Sequence, residues 1–106
     1  MSRVVNEKIF ALIDAKKSGR AGKIDHVKFI CDCVLCFLHD TIYACISDNS
    51  ITLGTPEGIW QSATTKQRMN AIARKYNLPG VYQKNFVWHW SDNDDEYTGI
   101  RLFERK

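Results

Sequence analysis

The stretch that most constrains the fold runs from residue 27 to 53, VKFICDCVLCFLHDTIYACISDNSITL. Some of its apolar residues recur at helical spacing, but its β-branched and aromatic content fits strands. Two polar pairs, His39-Asp40 and Asp48-Asn49, stand where tight turns would divide the run into strands of ordinary length. We therefore expect consecutive antiparallel strands here.

Two amphipathic segments predict helices on either side of this run. Apolar residues at helical spacing predict a first helix within residues 1–17, followed by a small, polar connection at 18–24 that we expect to be flexible. The stretch TTKQRMNAIARKY predicts a second helix over 64–76. Thr64 and Gln67 stand three apart, as in a capping box, and predict its first turn.

The C-terminal third returns to strand patterns. VYQKNFVWHW and YTGIRLF alternate in the manner of half-buried strands, and we expect a common face for Tyr82, Phe86, Trp88 and Trp90. Residues 28–106 would then supply the strands of the sheet, with the helix 64–76 inserted between them. The prediction is a single α+β domain over 1–106, with two helices packed on an antiparallel sheet of about five strands.

Charge and hydropathy narrow the class of protein. Fifteen basic and 12 acidic residues give a net charge of +3, which permits an anionic partner without requiring one. The N-terminus lacks the apolar core of a signal peptide, and no segment approaches the length of a membrane span. We expect a cytoplasmic protein with reduced thiols and no membrane partner.

The helix 64–76 carries cations that could bind nucleic acid. Its apolar stripe includes Met69, Ile72, Ala73 and Tyr76, while its cations are spread around the helix instead of massed on one face. A helix-turn-helix motif would need a second helix directly afterwards, but a strand pattern follows. The helix is therefore predicted to pack on the core, and its secondary candidates for partner contact are Arg68, Arg74 and Lys75.

The motif ICDCVLC could supply zinc ligands, completed by Cys45 or a histidine. The intervening pair Val34-Leu35 does not form turns, and on one strand Cys36 would face away from Cys31 and Cys33. Buried core cysteines are the better interpretation. We expect no metal and no cofactor, and no catalytic motif indicates an enzyme.

The acidic segment SDNDDE, residues 91–96, alternates carboxylates as a calcium loop does, but Tyr97 stands where such a loop needs glycine. We predict a charged hairpin tip that could engage a basic groove on a partner. Its candidate partner-binding residues are Asp92, Asp94, Asp95 and Glu96.

Residues 35–90 resemble small, mostly uncharacterised bacteriophage accessory proteins in their layout. The most specific shared pieces are Trp60 before Thr64-Thr65, the Arg68 and Asn70 of the helix, and the run QKNF with Trp88. The N-terminal helix and the cysteine cluster have no counterpart in that group.

The resemblance implies a phage protein acting in a bacterial host cell. Small phage proteins without catalytic equipment are often stoichiometric inhibitors of host machinery, such as the anti-CRISPR proteins. The leading hypothesis is therefore a non-catalytic, anti-defence inhibitor of a host protein or protein–RNA complex. The alternative is a small nucleic-acid-binding or regulatory protein that uses the basic helix, with Lys66 among its cations.

Overall fold

A computed structural model describes residues 2–105. Met1 and Lys106, which the predicted domain includes, lie outside the described residues. The elements in chain order are α1 (Ser2–Ala15), β1 (Gly19–Arg20), β2 (Asp25–Ile30), β3 (Cys33–Leu38), β4 (Thr41–Ile46), β5 (Ser50–Leu53), a 3₁₀ turn (Pro56–Gly58), α2 (Ala63–Lys75), β6 (Val81–Lys84), β7 (Val87–Trp90) and β8 (Arg101–Glu104).

The main sheet is antiparallel, with six strands in the order β1-β2-β3-β4-β5-β8. Strands β6 and β7 form a separate two-stranded sheet. The predicted α+β fold with two helices is confirmed. The segment 18–24, predicted to be a flexible connection, instead contributes Gly19–Arg20 to the sheet edge as β1, paired with β2.

The turns between β2 and β5 combine two predicted pairs with one that sequence patterns missed. His39-Asp40 and Asp48-Asn49 interrupt the strands as predicted, and His39 has a left-handed φ of 54°. A further turn lies at Cys31-Asp32, where φ is 52° and 63°. Positive φ at both central residues is the geometry of a tight two-residue hairpin turn. The usual sequence signal of that turn is Asn-Gly, and Cys-Asp does not match it, so the turn was not predicted.

Helix α2 begins one residue earlier than predicted and with a different cap. Ser62 is the N-cap, and its hydroxyl accepts a hydrogen bond from the Thr65 N–H at 3.1 Å. The predicted cap at Thr64 is wrong, because Thr64 already lies inside the first turn. The helix ends at Lys75 with Tyr76 as its C-cap, and a left-handed Asn77 follows, after which the Leu78 N–H donates to the Ala73 carbonyl at 2.8 Å.

Both helices and the β6–β7 hairpin pack on one face of the main sheet. The buried core joins Ile9 and Ile13 of α1, Met69 and Ile72 of α2, and the strand residues Val34, Cys36, Leu38, Ile51 and Leu53. The core therefore lies between one sheet face and all the other elements.

None of the described helices is long and apolar enough to cross a bilayer.

Trp88, Trp90 and Tyr97 form an aromatic cluster within this core, with the Trp88 and Trp90 ring centroids 5.4 and 5.6 Å from that of Tyr97. The prediction that four aromatic residues share one face is correct for Trp88 and Trp90 and wrong for Tyr82 and Phe86. Tyr82 lies across the hairpin from His89, on the other face, and Phe86 stands in the β6–β7 turn, 93 % exposed.

Candidate protein-interaction surface

The second face of the main sheet, which we call the open face, is defined by residues paired directly across the strands. One row crosses five strands through Lys28, Leu35, Cys45, Thr52 and Leu102. The remaining members of the open face lie in flanking rows: Arg20, His26, Phe37, Ile42, Ile30, Cys33, Ser50 and Glu104.

Every side chain of the open face is at least partly exposed. Leu102 is 63 % and Ile30 49 % exposed, whereas Cys36 and Leu53 on the covered face are 0 % exposed. Antiparallel sheets with one solvated face usually carry polar side chains on it. Here the centre of the solvated face is apolar, which is typical of a surface that binds another molecule.

One edge of the open face is basic. Arg20 and Lys28 flank His26, whose ring stacks on Phe37 with centroids 4.6 Å apart and an interplanar angle of 9°. Partial burial and the charges of Lys28 and Arg20 lower the pKa of His26, which favours its neutral imidazole. The edge therefore presents two cations beside an aromatic pair, a setting that favours carboxylates on a partner.

The cysteines divide among three environments, so the prediction of buried core cysteines holds for Cys36 alone. Burial raises the pKa of the Cys36 thiol to about 12. Cys33 and Cys45 are half-buried on the open face, where burial and then the proximity of Cys33 raise the pKa of Cys45. Cys31 is exposed in its turn, and no cluster of metal-ligating groups exists within residues 2–105.

The acidic segment 91–96 forms the tip of a tight hairpin, as predicted, because the chain turns back on β7: the Trp90 N–H donates to the Asp95 carbonyl at 2.8 Å and His89 pairs antiparallel with Glu96. The returning arm is this short segment and not β8, which belongs to the main sheet. Asp92 accepts two hydrogen bonds from the Arg101 guanidinium, at 2.9 and 2.8 Å, and these lower the pKa of Asp92. Asp94 accepts a 2.5 Å hydrogen bond from the Tyr82 hydroxyl. Intramolecular bonds thus occupy two of the four predicted partner-binding carboxylates, while Asp95 and Glu96 are exposed.

The candidate cations of α2 occupy three different settings. Arg68 is buried and paired with Asp25 of β2, with Nε 2.6 Å from Oδ1, so it is not available on the surface as predicted. Lys75 is 3.0 Å from Asp14 and lies over the ring of Phe10. Arg74 is exposed. The sequence placed Arg68 at the edge of the apolar stripe but gave no signal for its partner 43 residues away.

The open face was missed at the level of sequence, although a signal for it exists. All six residues of β3, CVLCFL, are apolar or thiol-bearing, and such a run is typical of a strand covered on both faces. Within residues 2–105 the fold covers only one of those faces.

A family model for the Kyanoviridae Gp96 protein matches residues 2–104 of the chain. The chain belongs to the Kyanoviridae Gp96 family. This confirms the phage origin that the layout of residues 35–90 implied; an anti-defence role remains a prediction. No curated protein and no solved structure matches the chain.

Proposed function

We propose that this phage protein is a non-catalytic binding protein that inhibits a host protein or ribonucleoprotein by docking on it through the open face. The observation that carries the proposal is the apolar centre of that face. Leu35 and Cys45 lie side by side in the middle of the sheet, and Leu102 extends the same row at its edge. A bound partner would cover the exposed face of β3, which no part of the described chain covers.

The composition of the open face suits a protein interface. Phe37 and Leu35 lie near the centre of the face and are held in register by strand pairing, and the buried cores of interfaces are apolar and enriched in aromatic residues. Polar residues border them: Arg20 and Lys28 on one side and Glu104 on the other. An apolar centre inside a polar rim is the usual arrangement in specific interfaces.

Inhibition is the mode of action that fits such a surface. The sequence contains no catalytic motif, so the protein would act on a host target by occupying a surface that the target needs. Rigidity favours this role, because a surface on paired strands loses little conformational entropy when it binds. The exposed Arg74, Asp95 and Glu96 lie off the open face and would contribute contacts only with a partner that extends past the sheet.

The test compares affinity capture from a host lysate with the wild-type protein and with Leu102→Glu. A carboxylate covered by the partner at this end of the apolar row would be desolvated without an ion-pair partner, so we expect the captured host protein to be depleted about tenfold or more. The captured protein is then assayed with and without added phage protein, and inhibition is expected with the wild type alone.

Val4→Glu is the matched control. Val4 is 54 % exposed on α1, an element that packs on the covered face, so the same change should leave capture unaffected. Equal capture by wild type and Leu102→Glu would remove the open face from the proposal. Capture of no host protein, or a captured protein whose activity does not change, would reject the function itself.

A further inference from the structure

A cavity of about 350 Å³ lies away from the open face, between the β3–β4 turn and the start of α2. Its walls include the apolar residues Ile24, Leu38 and Trp60, together with Tyr43, Thr55 and Thr65. Pockets that bind small molecules are usually apolar with a few placed polar groups, and their volumes begin near 300 Å³. The cavity therefore has room for one ring system.

Trp60 is the unusual member of this set. It is 68 % exposed, and its φ of 57° lies in the left-handed region, which the β-carbon of a non-glycine residue disfavours. Strained backbone of this kind persists where neighbouring bonds impose it, and such positions concentrate at binding sites.

Hydrogen bonds fix the backbone on both sides of Trp60. The Ile59 carbonyl accepts from the Thr55 hydroxyl at 2.5 Å, and the Trp60 carbonyl accepts from the Ser62 N–H at 2.8 Å. Thr55 is itself held by Tyr97, whose hydroxyl accepts from the Thr55 N–H at 2.8 Å and lies 3.0 Å from the Thr55 hydroxyl. Thr55 and Tyr97 are each 1 % exposed, so a buried network positions an exposed tryptophan.

The charged groups that line the cavity limit the chemical class of ligand that it can bind. Among the described residues that line it, none is lysine or arginine; Asp40 supplies a carboxylate and His39 an imidazole. A phosphate or other polyanion would therefore meet no permanent cation there and would lie near the Asp40 carboxylate. The hydroxyls of Thr41 and Thr64, by contrast, can each donate and accept a hydrogen bond.

We propose that this cavity binds one neutral, planar heteroaromatic ring of nucleobase size, stacked against Trp60. The indole supplies the stacking surface, and the hydroxyl groups satisfy the polar edge of the ring. The ring could come from a free nucleoside or from an unstacked base of a single strand, since every base presents the same kind of π-face.

The probes are therefore adenosine, uridine and a short single-stranded oligodeoxynucleotide, each titrated into the intact protein and followed by amide chemical shifts. Binding should shift the amides of residues 38–43 and 60–65. Saturation by a nucleoside identifies a free ligand, and saturation by the oligonucleotide alone identifies a base within a strand; both results support the site.

Trp60→Ala should weaken binding by about tenfold or more, because one stacked base accounts for at least that order of affinity. Trp60→Phe should retain most of it. Phe86→Ala is the matched control: Phe86 is also an exposed aromatic with a left-handed φ, 66°, but it stands in the β6–β7 turn. Leu102→Glu should bind as the wild type does, which separates this site from the open face.

Two results would overturn the proposal. One is that none of the three probes shifts the amides around the cavity. The other is that Trp60→Ala, with a dispersed spectrum that shows it is folded, binds as tightly as Phe86→Ala.

Discussion

Arg68 and Asp25 form a buried ion pair that fastens α2 to the first residue of β2. The guanidinium Nε lies 2.6 Å from Oδ1 and a second nitrogen 3.3 Å from Oδ2, and the two side chains are 8 % and 3 % exposed. The Gln67 side chain accepts a further hydrogen bond from Arg68. Because both charges are out of water, each depends on the other for its solvation.

We expect Arg68→Met and Asp25→Asn each to lower the free energy of unfolding by about 3–5 kcal/mol, since each leaves one buried charge uncompensated. Urea denaturation measures the change. Arg74→Met, an exposed position on the same helix, is the control and should alter stability by no more than about 0.5 kcal/mol. If Arg68→Met lowered the free energy of unfolding by no more than the control does, the ion pair would not stabilise the fold.

The second prediction concerns the start of α2. Ser62→Ala removes the hydroxyl that accepts from the Thr65 N–H, so we expect a loss of about 1 kcal/mol of stability. Thr64→Ala should change stability by less than about 0.5 kcal/mol, because Thr64 is exposed within the first turn. Thermal or urea denaturation of both variants separates the two assignments, and a larger cost at Thr64 would restore the capping box as the true signal.

The third prediction concerns thiol reactivity. Alkylation requires the thiolate, and Cys36, with its pKa raised to about 12 and no exposed surface, should resist iodoacetamide in the folded protein near pH 8. The exposed Cys31 should react first. Peptide mass spectrometry after timed quenching gives the order, and unfolding in urea should make Cys36 reactive. Similar alkylation rates for Cys31 and Cys36 in the folded protein would contradict the burial of Cys36.

Local patterns carried much of the fold. Turn pairs such as His39-Asp40 located strand ends, and the stripe of Met69 and Ile72 identified the buried side of α2, because both signals depend on neighbours within a few residues. The cap at Ser62 was missed for a related reason. Several residues before α2 can accept the first N–H groups, and the path of the chain decides which one does.

The candidate site could be predicted less well. The acidic segment was interpreted correctly as a hairpin tip, but the strand pattern after it did not show that only residues 95–97 return along β7. The next strand, β8, pairs with β5, far back in the chain. Asp92 and Arg68 looked available in the sequence, and only their pairing with Arg101 and Asp25 shows that they are engaged. No local pattern encodes these contacts, whose partners lie nine and 43 residues apart.

The sequence by itself determined the classes of element, the approximate ends of the helices and of most strands, and, through the match over residues 2–104, membership of a phage family. Tertiary structure alone decided which apolar residues are covered. CVLCFL is apolar at every position, so its pattern cannot distinguish Val34 and Cys36, which are buried, from Leu35 and Phe37, which stay partly exposed. The difference arises because both helices and the β6–β7 hairpin pack on the same side of the sheet, and that choice depends on contacts between distant segments.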